Sequence, residues 1–210
     1  MTPKYPIVFF DVDSTLVTIE GIDVLAAGNP EVARLTEQAM NGETPLEDVY
    51  ARRLEIIRPT SDAITRLMGI YLQSLVPGAE ETLLALKSAG CIIHLVTAGI
   101  YQAVAGLGWA FGVKMHAVSI QYDKSGRYSG FDRKSPLTRS RGKEIVVRDI
   151  RARTKGKAAF IGDGASDLEA KPAVDLFIGF GGVHTRPRVR ENADVFVAGP
   201  RLSDVLPYLI

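Results

Sequence analysis

Short apolar runs that stop abruptly at polar residues, with helix-length stretches between them, constrain this chain more than any other feature. Lys4 to Phe10 is β-branched and aromatic and halts at Asp11; Cys91 to Val96 halts at Thr97; Ala158 to Ile161 halts at a Gly-Asp-Gly turn. Val174 to Ile178 and Val195 to Val197 continue the series. Runs of this length, bounded by polar residues, read as fully buried strands. Helices are expected from Ala79 to Ala89, ending at Gly90 as a left-handed cap, and over Tyr101 to Trp109 and Gly142 to Arg153. Strands alternating with helices predict an α/β fold with a doubly wound parallel sheet covered on both faces. Val118 to Tyr122 and Arg127 to Phe131, joined by Asp123-Lys124-Ser125-Gly126, read instead as a hairpin.

Gly21 to Leu75 breaks this rhythm, because its period is helical and it holds no strand pattern. Thr44-Pro45-Leu46-Glu47 reads as a capping-box start with proline at the first helical position. Ser61 is expected to cap the next helix, where Ile64, Leu67, Met68, Tyr71, Leu72 and Leu75 keep one face. Residues 17–76 are therefore expected to be an all-helical cap inserted after the first strand, with 1–16 and 77–210 forming the α/β core. At 210 residues, 46% hydrophobic and 23% charged, the chain can bury a real core. A formal net charge of +1 supplies no electrostatic reason to expect nucleic acid or an anionic membrane as partner. Cys91 is the only cysteine, which excludes an internal disulfide and favours a reducing cytoplasm. The apolar run near the N-terminus, broken by Asp11, is too short for a signal peptide or a membrane span.

Open parallel sheets collect ligands beyond the carboxyl ends of their strands. Asp11 and Asp13 follow the first strand, Thr97 the second, Asp163 and Asp167 a later one, and Lys143 opens a helix between the last two. Each has a plainer account: turn acids, a threonine helix cap, a solvated lysine, an aspartate capping the next helix. Their joint placement on one rim favours a single site. Clustered carboxylates repel each other unless they share a cation, and hard oxygen donors suit Mg²⁺, which favours phosphate oxygens as further ligands. An aspartate there can attack phosphorus and form an aspartyl-phosphate. Lys143 and the Thr97 hydroxyl would contact the transferring group, whose spread charge makes positioning and countercharge decisive. A second carboxyl, Asp13, would protonate the departing alkoxide and then take a proton from water.

With DVDSTLV from Asp11, Thr97, Lys143 and GDGASD from Gly162, the chain resembles the haloacid-dehalogenase-superfamily phosphatases, and more narrowly the phosphoserine phosphatases. That resemblance implies a Rossmann-like core of the haloacid dehalogenase type, Asp11 as nucleophile and Asp13 as acid/base. It implies Mg²⁺ held by Asp11, the Asp13 backbone carbonyl and Asp163, with Asp167 supporting from behind. EGIDVLA (Glu20 to Ala26) and AMNGETPLEDVYARRL (Ala39 to Leu54) are similar to its substrate segments. By that likeness Glu20 meets an ammonium, Met40 forms an apolar wall and Arg53 clamps a carboxylate, for which a guanidinium fork is geometrically suited. Thr97, Ala98, Lys143 and Ser166 complete the implied contacts. The implied partner is a small phosphorylated amino acid, L-phosphoserine, and the implied assembly a monomer or homodimer.

The chain departs from the family in reading Thr97-Ala98-Gly99 where Ser-Gly-Gly is usual, and in placing Asn41 where glycine is common. Ala98 keeps the backbone N–H but loses easy access to positive φ. Two other readings compete: a phosphatase or phosphotransferase of the same superfamily acting on another small metabolite, and a non-enzymatic phospho-aspartyl receiver. Outside the motifs, His94 is expected in the core and Trp109 as a packing anchor. His116 and His184 lack ligand-spaced neighbours, so zinc is not expected. The basic cluster from Arg133 to Arg153 reads as a solvated helix, and Arg186 is expected near the phosphate side of the crevice.

Overall fold

In this computed structural model residues 3–210 are described. They begin with β1 (Ile7–Phe10), followed by α1 (Gly21–Ala26), α2 (Pro30–Met40), α3 (Leu46–Ile57) and α4 (Ser61–Gln73). The chain continues through α5 (Ala79–Ser88), β2 (Ile92–Ile100), α6 (Tyr101–Phe111), β3 (Lys114–Val118), β4 (Ile120–Tyr122) and β5 (Tyr128–Phe131). It closes with α7 (Gly142–Arg153), β6 (Ala158–Gly162), α8 (Ala165–Leu168), β7 (Leu176–Phe180), α9 (Pro187–Asn192), β8 (Val195–Val197) and α10 (Leu206–Leu209).

All four residues of β1 are buried, and β1 lies inside a six-stranded sheet ordered β3-β2-β1-β6-β7-β8. Every pairing in that sheet is parallel, as expected for strands that read as unbroken apolar runs. Phe9 sits opposite His94 on one side and Phe160 on the other, and stacks on both rings at centroid distances of 5.1 and 6.3 Å. His94 is core, as expected. Its Nδ1 is 3.0 Å from His116 Nε2, while its own Nε2 has no partner. A proton on Nε2 would be stranded in the core, so Nδ1–H donates to His116. The β4–β5 hairpin stands apart as an antiparallel pair.

Five helices separate β1 from β2, and the first four, α1 to α4, form an excursion that closes before α5. The two connections run side by side: Val17 and Leu75 form an antiparallel bridge, Val76 N–H donates to Leu16 O at 3.0 Å, and Thr18 N–H donates to Ser74 O at 2.8 Å. No helix among the described residues is long and apolar enough to cross a membrane.

Several local expectations are corrected. Thr44 does not cap: α3 begins at Leu46 with Pro45 at the cap position, and Glu47 instead accepts the Ser140 N–H and hydroxyl, both at 2.7 Å. The next helix is capped by Thr60 rather than Ser61, through its hydroxyl to Ala63 N–H at 3.2 Å. β2 runs past Thr97 to Ile100, with a register shift against β3 after Val96. The edge strand β3 carries no apolar run, and the expected strand Val118 to Tyr122 is split between it and β4. Trp109 is no anchor, being 73% exposed; α6 buries Ala103 to Gly108 and turns the indole outward.

Candidate active site

The register of the sheet assembles the floor. Phe10 pairs with Leu95 on one side and Ile161 on the other, so the residues after β1, late in β2 and after β6 emerge together at the carboxyl edge. Asp11 is fixed by its own N–H, which donates to Ile161 O at 2.9 Å. Lys143, from the first turn of α7, reaches across with Nζ 2.6 Å from Asp11 Oδ1 and 2.5 Å from Asp167 Oδ1. All three side chains are buried. Asp167 Oδ2 also accepts the Gly164 N–H at 2.9 Å, so both its oxygens are occupied. A Cβ on Gly162 would overlap the Asp167 carboxyl, which is why a glycine ends β6. Asp163 does not cap α8, whose cap position is Gly164. It accepts the Thr15 hydroxyl at 3.1 Å and the Arg186 Nε–H at 3.3 Å.

Oxygens of Asp11, Asp163 and Asp167 lie within 4.8 Å of one another. Burial pushes the Asp11 carboxyl well above the usual carboxylate range, and Asp167, Asp163 and Asp13 push the same way against Lys143. Burial and Asp167 push Asp163 up to about 7, against Arg186 and Lys143. Burial works against the Lys143 ammonium, but Asp11 and Asp167 outweigh it and hold its pKa above the ordinary lysine value. Three buried carboxyls crowded this closely, all hard oxygen donors, fit a divalent cation. The Asp13 side chain is outside this cluster.

Asp13 points elsewhere. Its Oδ1 accepts the Tyr71 hydroxyl at 2.7 Å and the Gly21 N–H at 3.0 Å, while Oδ2 lies 3.5 Å from Thr97 Oγ1. Burial raises the Asp13 pKa, against the lowering by these hydrogen bonds. Thr97 is not a helix cap; its Oγ1 accepts the Gly99 N–H at 2.9 Å within the last part of β2, and Ile100 holds the cap position of α6. Ala98 is not among the residues with positive φ, so the methyl group imposes no backbone strain. The Tyr50 hydroxyl donates to the Ala98 carbonyl at 3.0 Å.

One pocket is lined by Asp11, Asp13, Glu20, Met40, Arg53, Thr97, Ala98, Lys143 and Ser166, all singled out in the sequence, together with Gly21, Tyr50 and Tyr71. Glu20 makes no side-chain bond to the start of α1; it accepts the Ser14 hydroxyl at 2.6 Å. Burial holds Glu20 well above the usual glutamate range, with Asp13 and Asp163 adding to it. Arg53 is not a solvated helix arginine but 7% exposed. Its guanidinium sits 5.9 Å over the Tyr50 ring, donates to Thr36 Oγ1 at 3.3 Å, and leaves Nε without a partner. Met40 fills the space that a side chain at Gly164 would need.

In the sequence Tyr71 and Tyr50 both read as apolar helix-face residues, and Ser14 and Thr15 carry no separate signal. Arg186 was placed near the crevice, and the structure makes it a clasp: its NH1 reaches Asn41 Oδ1 at 2.9 Å and Glu37 Oε1 at 3.3 Å on α2. Asn41 has an ordinary helical φ of −79°, so no glycine is needed there.

The chain matches the haloacid dehalogenase-like hydrolase family over residues 5–174. It is 34% identical to phosphoserine phosphatase of Mus musculus over 197 residues, covering 90% of this chain and 88% of the mouse protein. A substrate-bound phosphoserine phosphatase complex superposes with a TM-score of 0.85 at 25% identity, with 99% of each chain covered. A phospho-aspartyl intermediate analogue of phosphoserine phosphatase gives 0.82 at 25% identity, covering 99% of this chain and 100% of that one.

Proposed function

The chain belongs to the haloacid dehalogenase-like hydrolases, within the phosphoserine phosphatase family, and from that premise we propose which residue carries each step of phosphoserine hydrolysis. The enzyme dephosphorylates L-phosphoserine to serine and phosphate. The observation that carries the substrate assignment is a buried Arg53 with an unpartnered Nε, sharing one pocket with Glu20 and with the Asp11–Lys143 pair. A guanidinium for a carboxylate, a carboxylate for an ammonium and a lysine for a phosphate describe a phosphorylated amino acid.

Asp11 attacks phosphorus, and the bond from phosphorus to the serine oxygen breaks as the aspartyl-phosphate forms. Asp13 gives its proton to the departing alkoxide, then takes one from the water that cleaves the acyl phosphate, releasing phosphate and restoring Asp11. Lys143 holds one Asp11 oxygen, which orients the carboxylate for attack, and sets positive charge beside the transferring group. Thr97, Ala98 and Ser166 contribute the remaining contacts to the phosphate, and Met40 the apolar wall. Asp11, Asp163 and the Asp13 carbonyl, with Asp167 behind, would hold Mg²⁺, which would supply countercharge to the phosphate. Residues 17–76 act as a cap whose closure excludes bulk water. The reaction belongs in a reducing cytoplasm, which suits the free thiol of Cys91.

The test is phosphate release from L-phosphoserine, phosphoethanolamine and phosphoglycerate, before and after chelation and with Mg²⁺ restored. Phosphoserine should be preferred, and chelation should stop turnover. Preference for an ester lacking both amine and carboxylate would remove the roles of Glu20 and Arg53 and favour another small phosphorylated metabolite.

A further inference from the structure

Asp13 has two carboxyl oxygens, and the fold treats them differently. Oδ1 accepts two hydrogen bonds, from the Tyr71 hydroxyl at 2.7 Å and the Gly21 N–H at 3.0 Å. Oδ2 faces the end of β2, with the Thr97 hydroxyl near it at 3.5 Å. Both donors to Oδ1 come from the helices inserted after β1: Gly21 opens α1, and Tyr71 lies on α4. They also fit one another closely, since a Cβ on Gly21 would overlap the Tyr71 hydroxyl. Tyr71 is fully buried, and Asp13 is its hydrogen-bond acceptor.

We propose that Tyr71 is a positioning residue for the proton-transferring carboxyl, locking Asp13 so that Oδ2 alone carries the proton to and from the substrate oxygen. The inference rests on the phosphoserine phosphatase reading given above. A proton on Oδ1 would confront two donor hydrogens, so the mobile proton belongs on Oδ2. When the serine–phosphorus bond breaks, Oδ2 passes that proton to the departing alkoxide and Asp13 is left as the carboxylate. Tyr71 keeps its own proton throughout and touches no reacting atom. The inserted helices thus orient the acid as well as wall the pocket.

The experiment compares two esters on wild type and Tyr71→Phe. Phosphoserine needs a proton on its leaving oxygen; acetyl phosphate releases acetate without one. The variant should lose about 10–100-fold in kcat on phosphoserine with KM kept within about threefold. Single-turnover consumption of acetyl phosphate, which reports only formation of the phosphoenzyme, should fall less than about threefold. Gly21→Ala attacks the same hydrogen bond from the other side and should show the same selectivity, so either variant that folds gives a reading. An undiminished kcat on phosphoserine, a rise in KM alone, or equal losses on both esters would overturn the proposal. Absence of phosphoserine turnover by wild type would instead sink the functional reading beneath it.

Discussion

Lys143 and Arg53 are both cationic, both buried and both on the wall of one pocket, yet their surroundings are opposite. Lys143 is charge-paired, with two of its three N–H donors on carboxylate oxygens at 2.6 and 2.5 Å. Arg53 has a threonine hydroxyl at 3.3 Å, an aromatic face and an unpartnered Nε. Burial lowers the Arg53 pKa, against the raising by Tyr50, Glu20, Asp23 and Asp13. A charge paired by the protein holds the site together as well as serving it; a charge left under-paired is held ready for a ligand. The first should be felt in stability and chemistry, the second in substrate choice.

The hardest blow to this contrast would come from Asp11→Asn, which keeps the shape and an acceptor for Lys143. Loss of kcat on phosphoserine should reach about 10⁴-fold or more, with an unchanged circular dichroism spectrum. Residual turnover above that floor would mean another group attacks phosphorus.

Matched changes to methionine sharpen the comparison. Lys143→Met strands the Asp11 and Asp167 carboxyls and should cost about 3–5 kcal/mol, read from the urea midpoint at constant m-value. A cost below about 1 kcal/mol would show that the floor is not held by charge. Arg53→Met removes an under-paired buried charge at similar volume and should leave stability within about 1 kcal/mol of wild type. Its KM for phosphoserine should rise about 100-fold while that for phosphoethanolamine, which lacks the carboxylate, barely moves. Equal rises for both esters would detach Arg53 from the carboxylate.

The smallest effect tests the sheet beneath the floor. His94 has its pKa lowered to about 4 by burial, then by His116 and Lys114. Unfolding lets it bind a proton that the native state refuses, so its contribution is intact above pH 6.5 and lost as pH falls toward 4. Floor carboxyls raised by burial tilt the profile the other way, so His94→Gln supplies the reference. Wild-type stability relative to that variant should fall by about 1–2 kcal/mol between pH 7.5 and pH 5. A pH-independent gap would place the titration elsewhere.

Much of the floor was legible because its residues sit at the ends of apolar runs. Asp11 and Asp163 each follow one, and a parallel sheet brings such ends together whatever the intervening chain does. The wall was legible only by resemblance, since nothing in the spacing of Glu20, Met40 and Arg53 shows that three helices converge. Tyr71 hid inside an apolar stripe: the ring obeys the helical period, and only the tip of the side chain betrays a polar task. Arg186 lies 23 residues from the acid it clasps and depends on how the loop after β7 returns. The strand β3 was lost because an edge strand with Lys114 and His116 has no continuous apolar signature. Trp109 misled through its size, which predicts burial on average while the helix phase decides each case.

The paired connections at Val17 and Leu75 carry a consequence for how such a protein can change. A long excursion that leaves and returns through adjacent, hydrogen-bonded neighbours closes almost no loop of its own, so its length and content are nearly free variables for the sheet below. Natural variation can therefore rewrite which metabolite is recognised across a doorway only two chains wide, so long as the Gly21 and Tyr71 donors to Asp13 are kept.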